Sequence, residues 1–258
     1  MNLPFYKYQG TGNDFVMIDN RELLFPKQDS SLIAQLCDRR FGIGADGLIL
    51  LENDDATDFK MVYFNADGNE GSMCGNGGRS IVAFANFLNI IEDSTVFNAV
   101  DGIHEAILND TVVSLKMQDV SDITIRNNTV FMDTGSPHHV QMVSDLENFE
   151  VYREGAKLRY GLYGKPGSNI NFVEQESNDS FAIRTYERGV EDETLSCGTG
   201  VTAAALAMHK TAKTQNNKVI VNARGGQLEV SFNVAKDGYN NIFLTGAAKQ
   251  VFKGEITI

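Results

Sequence analysis

Three cysteines, four prolines, four histidines and no tryptophan stand in a chain of 258 residues, and each scarcity narrows what the protein can be. Cys37, Cys74 and Cys197 are too few, and odd in number, for a disulfide framework. They point to free thiols in a reducing compartment. None stands in a C-x-x-C pair and the histidines form no H-E-x-x-H, so no metal site is expected. No apolar run approaches the roughly 18 residues that a spanning helix needs. The start, MNLPFYKYQG, has no apolar signal core, so a cytoplasmic protein is expected. Basic residues number 22 against 34 acidic ones, a net charge of -12. Such a surface repels phosphate backbones and anionic lipid, so neither nucleic acid nor a membrane is an expected partner.

What the chain has in quantity is glycine, 24 residues, and short strand-like runs. Its length suits one large domain or two small ones. Residues 15–18, 48–51, 60–64, 112–117, 181–186, 219–221 and 228–232 predict strands. Turn signals such as Ala66-Asp67-Gly68 and Arg224-Gly225-Gly226 separate many of them. Ser30–Cys37 predicts a short helix, with Cys37 a core residue beside Leu36. Residues 78–88 (GRSIVAFANFL) and 200–208 (GVTAAALAM) predict helices without a polar face, which belong inside a core.

Each apolar helix follows a loop that opens with cysteine: Cys74-Gly75-Asn76-Gly77 and Cys197-Gly198-Thr199-Gly200. The pattern is an internal repeat at a distance of about half the chain. It predicts an α+β fold of two similar lobes, each wrapping sheet around one buried helix. The lobe boundary is expected near residues 118–122, and residues 251–258 look like a closing strand.

The first N–H groups of a helix and its dipole stabilise negative charge. A cysteine placed there tends toward thiolate, a base or a nucleophile, and the same N–H groups can hold a substrate carboxylate. One such site suggests a thiol hydrolase or a redox thiol. Two, on equivalent helices, suit racemisation: one base removes an α-proton and a second acid delivers a proton to the opposite face. The plainer reading of an isolated cysteine is a small buried hydrophobe. Two in one glycine-rich frame argue against it.

The stretches GTGNDFVMID (10–19), FGIGADGLILL (41–51), FNADGNEGSMCGNGGRS (64–80) and YERGVEDETLSCGTG (186–200) resemble diaminopimelate epimerase. So do the shorter TGSPHHV (134–140), PGSNINF (166–172), ARGGQLEV (223–230) and TGAA (245–248). They follow the family's order and cover nearly the whole chain. The resemblance implies interconversion of LL- and meso-diaminopimelate in lysine and cell-wall precursor synthesis, without pyridoxal phosphate or any other cofactor. It implies two pseudo-symmetric lobes: residues 1–118, completed by residues 249–258, and residues 119–248, with the active site in the cleft between them. It implies a cytoplasmic homodimer acting on a small amino-acid substrate. By motif, Cys74 and Cys197 are the acid/base pair. Gly75, Asn76, Gly198 and Thr199 hold the reacting carboxylate by backbone N–H. Asn13, Asn65, Asn169, Glu187 and Arg188 bind the rest of the substrate. His138, near Cys74, and Glu187, near Cys197, tune proton transfer. The chain departs from the pattern at Ser136, where many members carry Asn, and at Gly47, where some carry Gln.

Three other readings compete. Residues 42–47 (GIGADG) match G-x-G-x-x-G, but a dinucleotide site needs a strand before and a helix after. Here the expected order is the reverse, so a tight turn is expected. The same scaffold could serve proline, hydroxyproline or histidine, against which the second amino-acid head suggested by Asn65, Asn169 and Arg188 argues. A non-catalytic binding module would need no paired bases. Taken alone, Asn13 and Asn65 read as turn residues, Glu187-Arg188 as a solvated pair, and His138 as a packed loop residue.

Overall fold

A computed structural model describes residues 2–257; Met1 and Ile258, the outermost residues of the first expected lobe, lie outside the described residues. The chain divides into two compact units: residues up to Leu115 together with those from Gly246, and Lys116–Thr245.

The first unit is an eight-stranded mixed sheet. Its strands are β1 (Asn2–Gly10), β2 (Asn13–Asp19), β3 (Gly47–Glu52), β4 (Phe59–Asn65), β5 (Ser94–Ala99), β6 (Gly102–Asn109), β7 (Val112–Lys116) and the late-returning β17 (Lys249–Thr257). Pairing runs β17-β1-β2-β3-β4-β5-β6-β7, with β2–β3 and β4–β5 parallel and every other pair antiparallel. Helix α1 (Ser30–Cys37) crosses from β2 to β3, and α2 (Gly75–Phe87) from β4 to β5.

The second unit repeats this plan. Its strands are β8 (Thr124–Arg126), β9 (Thr129–Asp133), β10 (Pro137–Met142), β11 (Asn169–Gln175), β12 (Ser180–Glu187), β14 (Lys218–Ala223), β15 (Gly226–Ala235) and β16 (Gly238–Ala247). They pair in that order, with β10–β11 and β12–β14 parallel and the rest antiparallel. Helix α3 (Val151–Gly161) crosses from β10 to β11, and α4 (Gly198–Lys210) from β12 to β14. The short β13 (Asp192–Thr194) is an added hairpin on β12. All seven strand pairs keep the same sense in both units, as do both crossover helices. The repeat read from ten residues of sequence therefore extends over the whole topology.

The crossover helices α2 and α4 are the cores. In α4, Val201 and Ala203 to Ala207 are wholly buried, and in α2 so are Ile81, Val82, Phe84 and Ala85. Helix α2 packs on β1, β2, β3, β4, β6 and β17, and α4 on β9, β10, β11, β12, β14 and β15. Each buried large aliphatic or aromatic side chain contributes about 1.5–3 kcal/mol. Both helices begin earlier than hydropathy suggests, directly after the cysteine. Glycine weakens a helix by about 1 kcal/mol relative to alanine, but here packing decides. A Cβ on Gly77 would stand 3.1 Å from both Ile49 Cδ1 and Met61 Cε. Residues 42–46 form a bend, with Gly44 at φ +80°, after α1 and before β3, which Gly47 opens. That is the reverse of a dinucleotide-binding order. Cys37 is buried in α1, as core.

Candidate active site

Cys74 and Cys197 are the N-cap residues of α2 and α4, with closely matching backbone angles: φ -114°, ψ 125° and φ -116°, ψ 110°. The first ladder bonds run from Gly78 N–H to Cys74 O (2.7 Å) and from Val201 N–H to Cys197 O (2.9 Å). Helix geometry therefore aims the N–H groups of residues 75–77 and 198–200 out of the two helix starts. These are the groups assigned to a carboxylate.

In the first unit, Cys74 donates to Asn13 Oδ1 at 3.5 Å, and Asn76 Nδ2 donates to the same oxygen at 3.2 Å. Asn13 Nδ2 donates in turn to Asp46 Oδ2 at 2.7 Å. Asp46 and Asp14 both hold Arg39 at 2.7 Å, and Lys7 reaches Asp14 at 2.8 Å and the carbonyl of Gly44. Burial alone would raise Asp14, but the bonds from Arg39 and Lys7 outweigh it and hold the carboxyl well below its usual range. This charged cluster fixes the orientation of Asn13, whose oxygen must face the thiol. Asn13 follows the tight β1–β2 turn at Thr11 (φ +51°) and Gly12 (φ +82°). A β-branched residue resists the left-handed region. Thr11 is held there while its hydroxyl donates to Asn76 Oδ1 at 3.2 Å. Asn65 lies exposed at the end of β4, in a turn closed by Gly68 N–H to Asn65 O at 2.9 Å.

In the second unit, Cys197 Sγ lies 3.4 Å from Thr199 Oγ1. The resemblance pairs His138 with Cys74; the bonds it makes here are beside Cys197, with Nε2 2.9 Å from Thr199 Oγ1 and 3.0 Å from Ser136 Oγ. Asn171 Nδ2 donates to His138 Nδ1 at 3.1 Å, which leaves the proton on Nε2. Burial pushes His138 down to about 3, against an upward pull from the Asn171 hydrogen bond and with a further push from Arg188. It is a neutral imidazole at physiological pH. Asn169 Nδ2 donates to Ser136 Oγ at 3.1 Å, while its Oδ1 accepts from the Arg188 backbone N–H at 2.9 Å. The Arg188 side chain donates to Pro166 O at 3.1 Å, and Glu187 Oε2 accepts from Thr194 at 2.8 Å.

The diaminopimelate epimerase model matches residues 5–119 and 130–251. A diaminopimelate epimerase of Flavobacterium psychrophilum is 62% identical over 256 residues, covering 98% of this chain and 100% of that protein. One of Chlorobaculum tepidum is 44% identical, covering 96% and 99%. The chain belongs to the diaminopimelate epimerase family. Solved structures share its fold at low identity. A PhzF-family phenazine biosynthesis protein of Bacillus anthracis has TM-score 0.80 at 14% identity, covering 100% of both chains. A hydroxyproline epimerase of Agrobacterium vitis with bound trans-4-OH-L-proline has TM-score 0.70 at 12% identity, covering 99% and 92%.

The topology shows what pattern-reading of this diaminopimelate epimerase family member left out. Thr11-Gly12-Asn13, leading into β2, corresponds to Thr134-Gly135-Ser136, leading into β10. Thr134 Oγ1 donates to the Thr199 backbone carbonyl at 2.8 Å, where Thr11 donates to the side chain of the equivalent Asn76. Asn65 and Glu187 close the equivalent strands β4 and β12. The signal was in the sequence, as a repeated Thr-Gly dipeptide about half the chain apart. It is too short to stand out without the paired strands.

Proposed function

We propose that the chain interconverts LL- and meso-2,6-diaminopimelate by a two-base mechanism in which Cys74 and Cys197 act on one α-carbon from opposite sides. One sulfur, as thiolate, takes the α-hydrogen as a proton. The C–H electron pair moves into the carboxylate and gives a planar, enediolate-like anion. The other sulfur, as thiol, delivers its proton to the opposite face, and configuration is inverted. The first cysteine ends as thiol and the second as thiolate, so the reverse reaction starts from the product state.

The observation that carries this reading is the equivalence of the two cysteines, at matched helix starts in two units of one topology. A reversible two-base epimerisation needs an acid/base group on each face of the α-carbon, and two equivalent thiols supply that pair. The N–H groups of Gly75, Asn76, Gly198 and Thr199 stabilise the anion, each charge-assisted bond contributing about 1.5–3 kcal/mol. Asn65, Asn169, Glu187 and Arg188 take the distal amino-acid head, while Asn13 stands at the reacting end against Cys74: arginine pairs with the distal carboxylate, and glutamate and amide oxygens accept from its ammonium. His138 acts as a neutral donor through Nε2. Ser136, shorter than the Asn of many relatives, reaches Asn169 and His138 directly, at 3.1 and 3.0 Å.

The mechanism needs no pyridoxal phosphate and no metal, because helix termini stabilise the anion. On the resemblance we place it in the cytoplasm as a homodimer, which light scattering tests. The substrate is tested by incubation with LL-diaminopimelate in deuterated water. Label at one α-carbon of the meso product supports the proposal. Turnover of proline or hydroxyproline with no exchange on diaminopimelate reassigns the substrate.

A further inference from the structure

A buried cation is costly unless an anion answers it. Arg79, in the second turn of α2, is 0% exposed. Its guanidinium donates to Gly75 O (3.3 Å), Thr11 Oγ1 (3.0 Å) and Asn76 Oδ1 (2.8 Å), all neutral, and Nε has no hydrogen-bond partner among the described residues. The other well-buried cations meet carboxylates: Lys7 meets Asp14, Arg159 meets Glu191 and Arg184 meets Glu193. The place is also wrong for a cation on helix grounds, because the first turns carry the positive end of the dipole. Structural need does not explain it. The equivalent residue of α4 is Thr202, whose hydroxyl donates to Gly198 O at 3.0 Å. A neutral side chain there serves the same carbonyl as Arg79 does in α2.

What the helix start offers is Cys74, linked to Arg79 through Asn13 and Asn76. The other charges near this corner are spoken for. Lys7, Asp14, Arg39 and Asp46 bind one another. Tyr8 of β1 donates to Gln250 of β17 at 3.2 Å, and Tyr63 of β4 lies against Gly47 and Gly71. Strands β3 and β7 bring Ile49 and Leu115 to the first turn, and Glu105 of β6 is exposed. Burial pulls the Arg79 pKa down, and Cys74 is the charge that pulls it back up.

We propose that Arg79 is a positioning residue for the reaction, the sealed counter-charge for the anions formed at the start of α2: the Cys74 thiolate and the substrate carboxylate as it gains charge. Asn13 Oδ1 holds the proton on Cys74, and Arg79 favours its release. Both protonation states are thus accessible, as a reversible epimerase requires. The inference rests on the two-base reading for its catalytic consequence, but its electrostatic content can be measured without turnover.

The test is the pH dependence of iodoacetamide alkylation of Cys74 in the full chain, followed by peptide mass spectrometry. Arg79→Gln keeps a donor and removes the charge. It is expected to raise the Cys74 pKa by about one unit or more and to lower kcat by about 10- to 100-fold. The change in KM is smaller, and the rising limb of the pH profile moves to higher pH. Arg79→Lys restores much of both. Unchanged Cys74 titration in a folded Arg79→Gln variant overturns the inference, even if turnover falls. If that variant does not fold, the wild type decides. In the wild type, Cys74 must titrate below Cys197, whose helix carries Thr202 in place of Arg79. Equal or reversed order overturns the inference. Failure of the wild type to epimerise diaminopimelate, with the Cys74 shift intact, removes the functional reading and leaves the electrostatic one standing.

Discussion

Asn13 and Cys74, 61 residues apart in the chain, meet at 3.5 Å, with the thiol donating to an amide oxygen that has no freedom to turn away. Asp46 accepts from the other end of that amide, and Arg39 anchors Asp46. A charged surface cluster therefore sets the direction of one hydrogen bond at a reacting sulfur. Asn13→Ala is expected to lower kcat by about 10- to 100-fold, the usual effect of losing alignment at a reacting group. Circular dichroism should show the fold unchanged. Wild-type kcat in this variant would show that Asn13 does not orient Cys74.

Thr199 is the joint between Cys197 and His138. Thr199→Val keeps the shape and removes Oγ1, leaving the buried His138 Nε2–H with Ser136 as its remaining close acceptor. Denaturant unfolding should show a loss of about 1–3 kcal/mol, with kcat falling alongside. A variant as stable and active as the wild type would remove Thr199 from the proposed site.

His138 gives a pH dependence of known sign. Its folded pKa is pushed down to about 3, while an unfolded histidine titrates near 6.5. Between these values the unfolded chain binds more protons, so stability rises with pH and is lost as pH falls below about 6.5. One such group contributes a slope of about 1.4 kcal/mol per pH unit. His138→Gln should flatten the stability profile between pH 6.5 and 4. An equal slope in wild type and variant would mean that His138 is not buried neutral.

A side chain at Gly200 would collide with the residues around Cys197. A Cβ there would stand 2.5 Å from Asn171 Oδ1, 3.3 Å from His138 Cε1 and 3.4 Å from Cys197 Cβ. Gly200→Ala is expected to destabilise by about 1–3 kcal/mol and to abolish most turnover. Full activity would show that the helix start has room that the geometry denies it.

Cys37 is the control. Burial pushes its thiol up to about 11, so it should alkylate far more slowly than Cys74 and Cys197. Cys37→Ala should keep wild-type turnover. Loss of activity, with the fold retained, would assign Cys37 a role that its burial argues against.

What the sequence made legible follows from how each signal is carried. Helix α1 is readable to the residue, because Asp29 caps it by accepting from Leu32 N–H at 3.0 Å. The all-apolar bodies of α2 and α4 could only be core. Helix α3 escaped notice because its buried stripe is Val151, Gly155 and Arg159, a four-residue spacing with little hydropathy. Gly155 is there because Tyr186 fills the space a Cβ would need, and Arg159 because Glu191 pairs with it. Strand β17 is mostly exposed and takes its place from pairing with β1, a contact across nearly the whole chain. The candidate site divides in the same way. The cysteines announce themselves by repetition. Arg79 stands in a run that reads as apolar, and nothing in its neighbours tells that its charge is sealed.

Single-cysteine variants in deuterated water test the central claim most directly. Cys74→Ala and Cys197→Ala, each with LL- and then meso-diaminopimelate, should both fail to interconvert the two isomers while keeping the wild-type fold. Epimerisation at the wild-type rate by either variant would contradict a mechanism in which two thiols share one α-carbon.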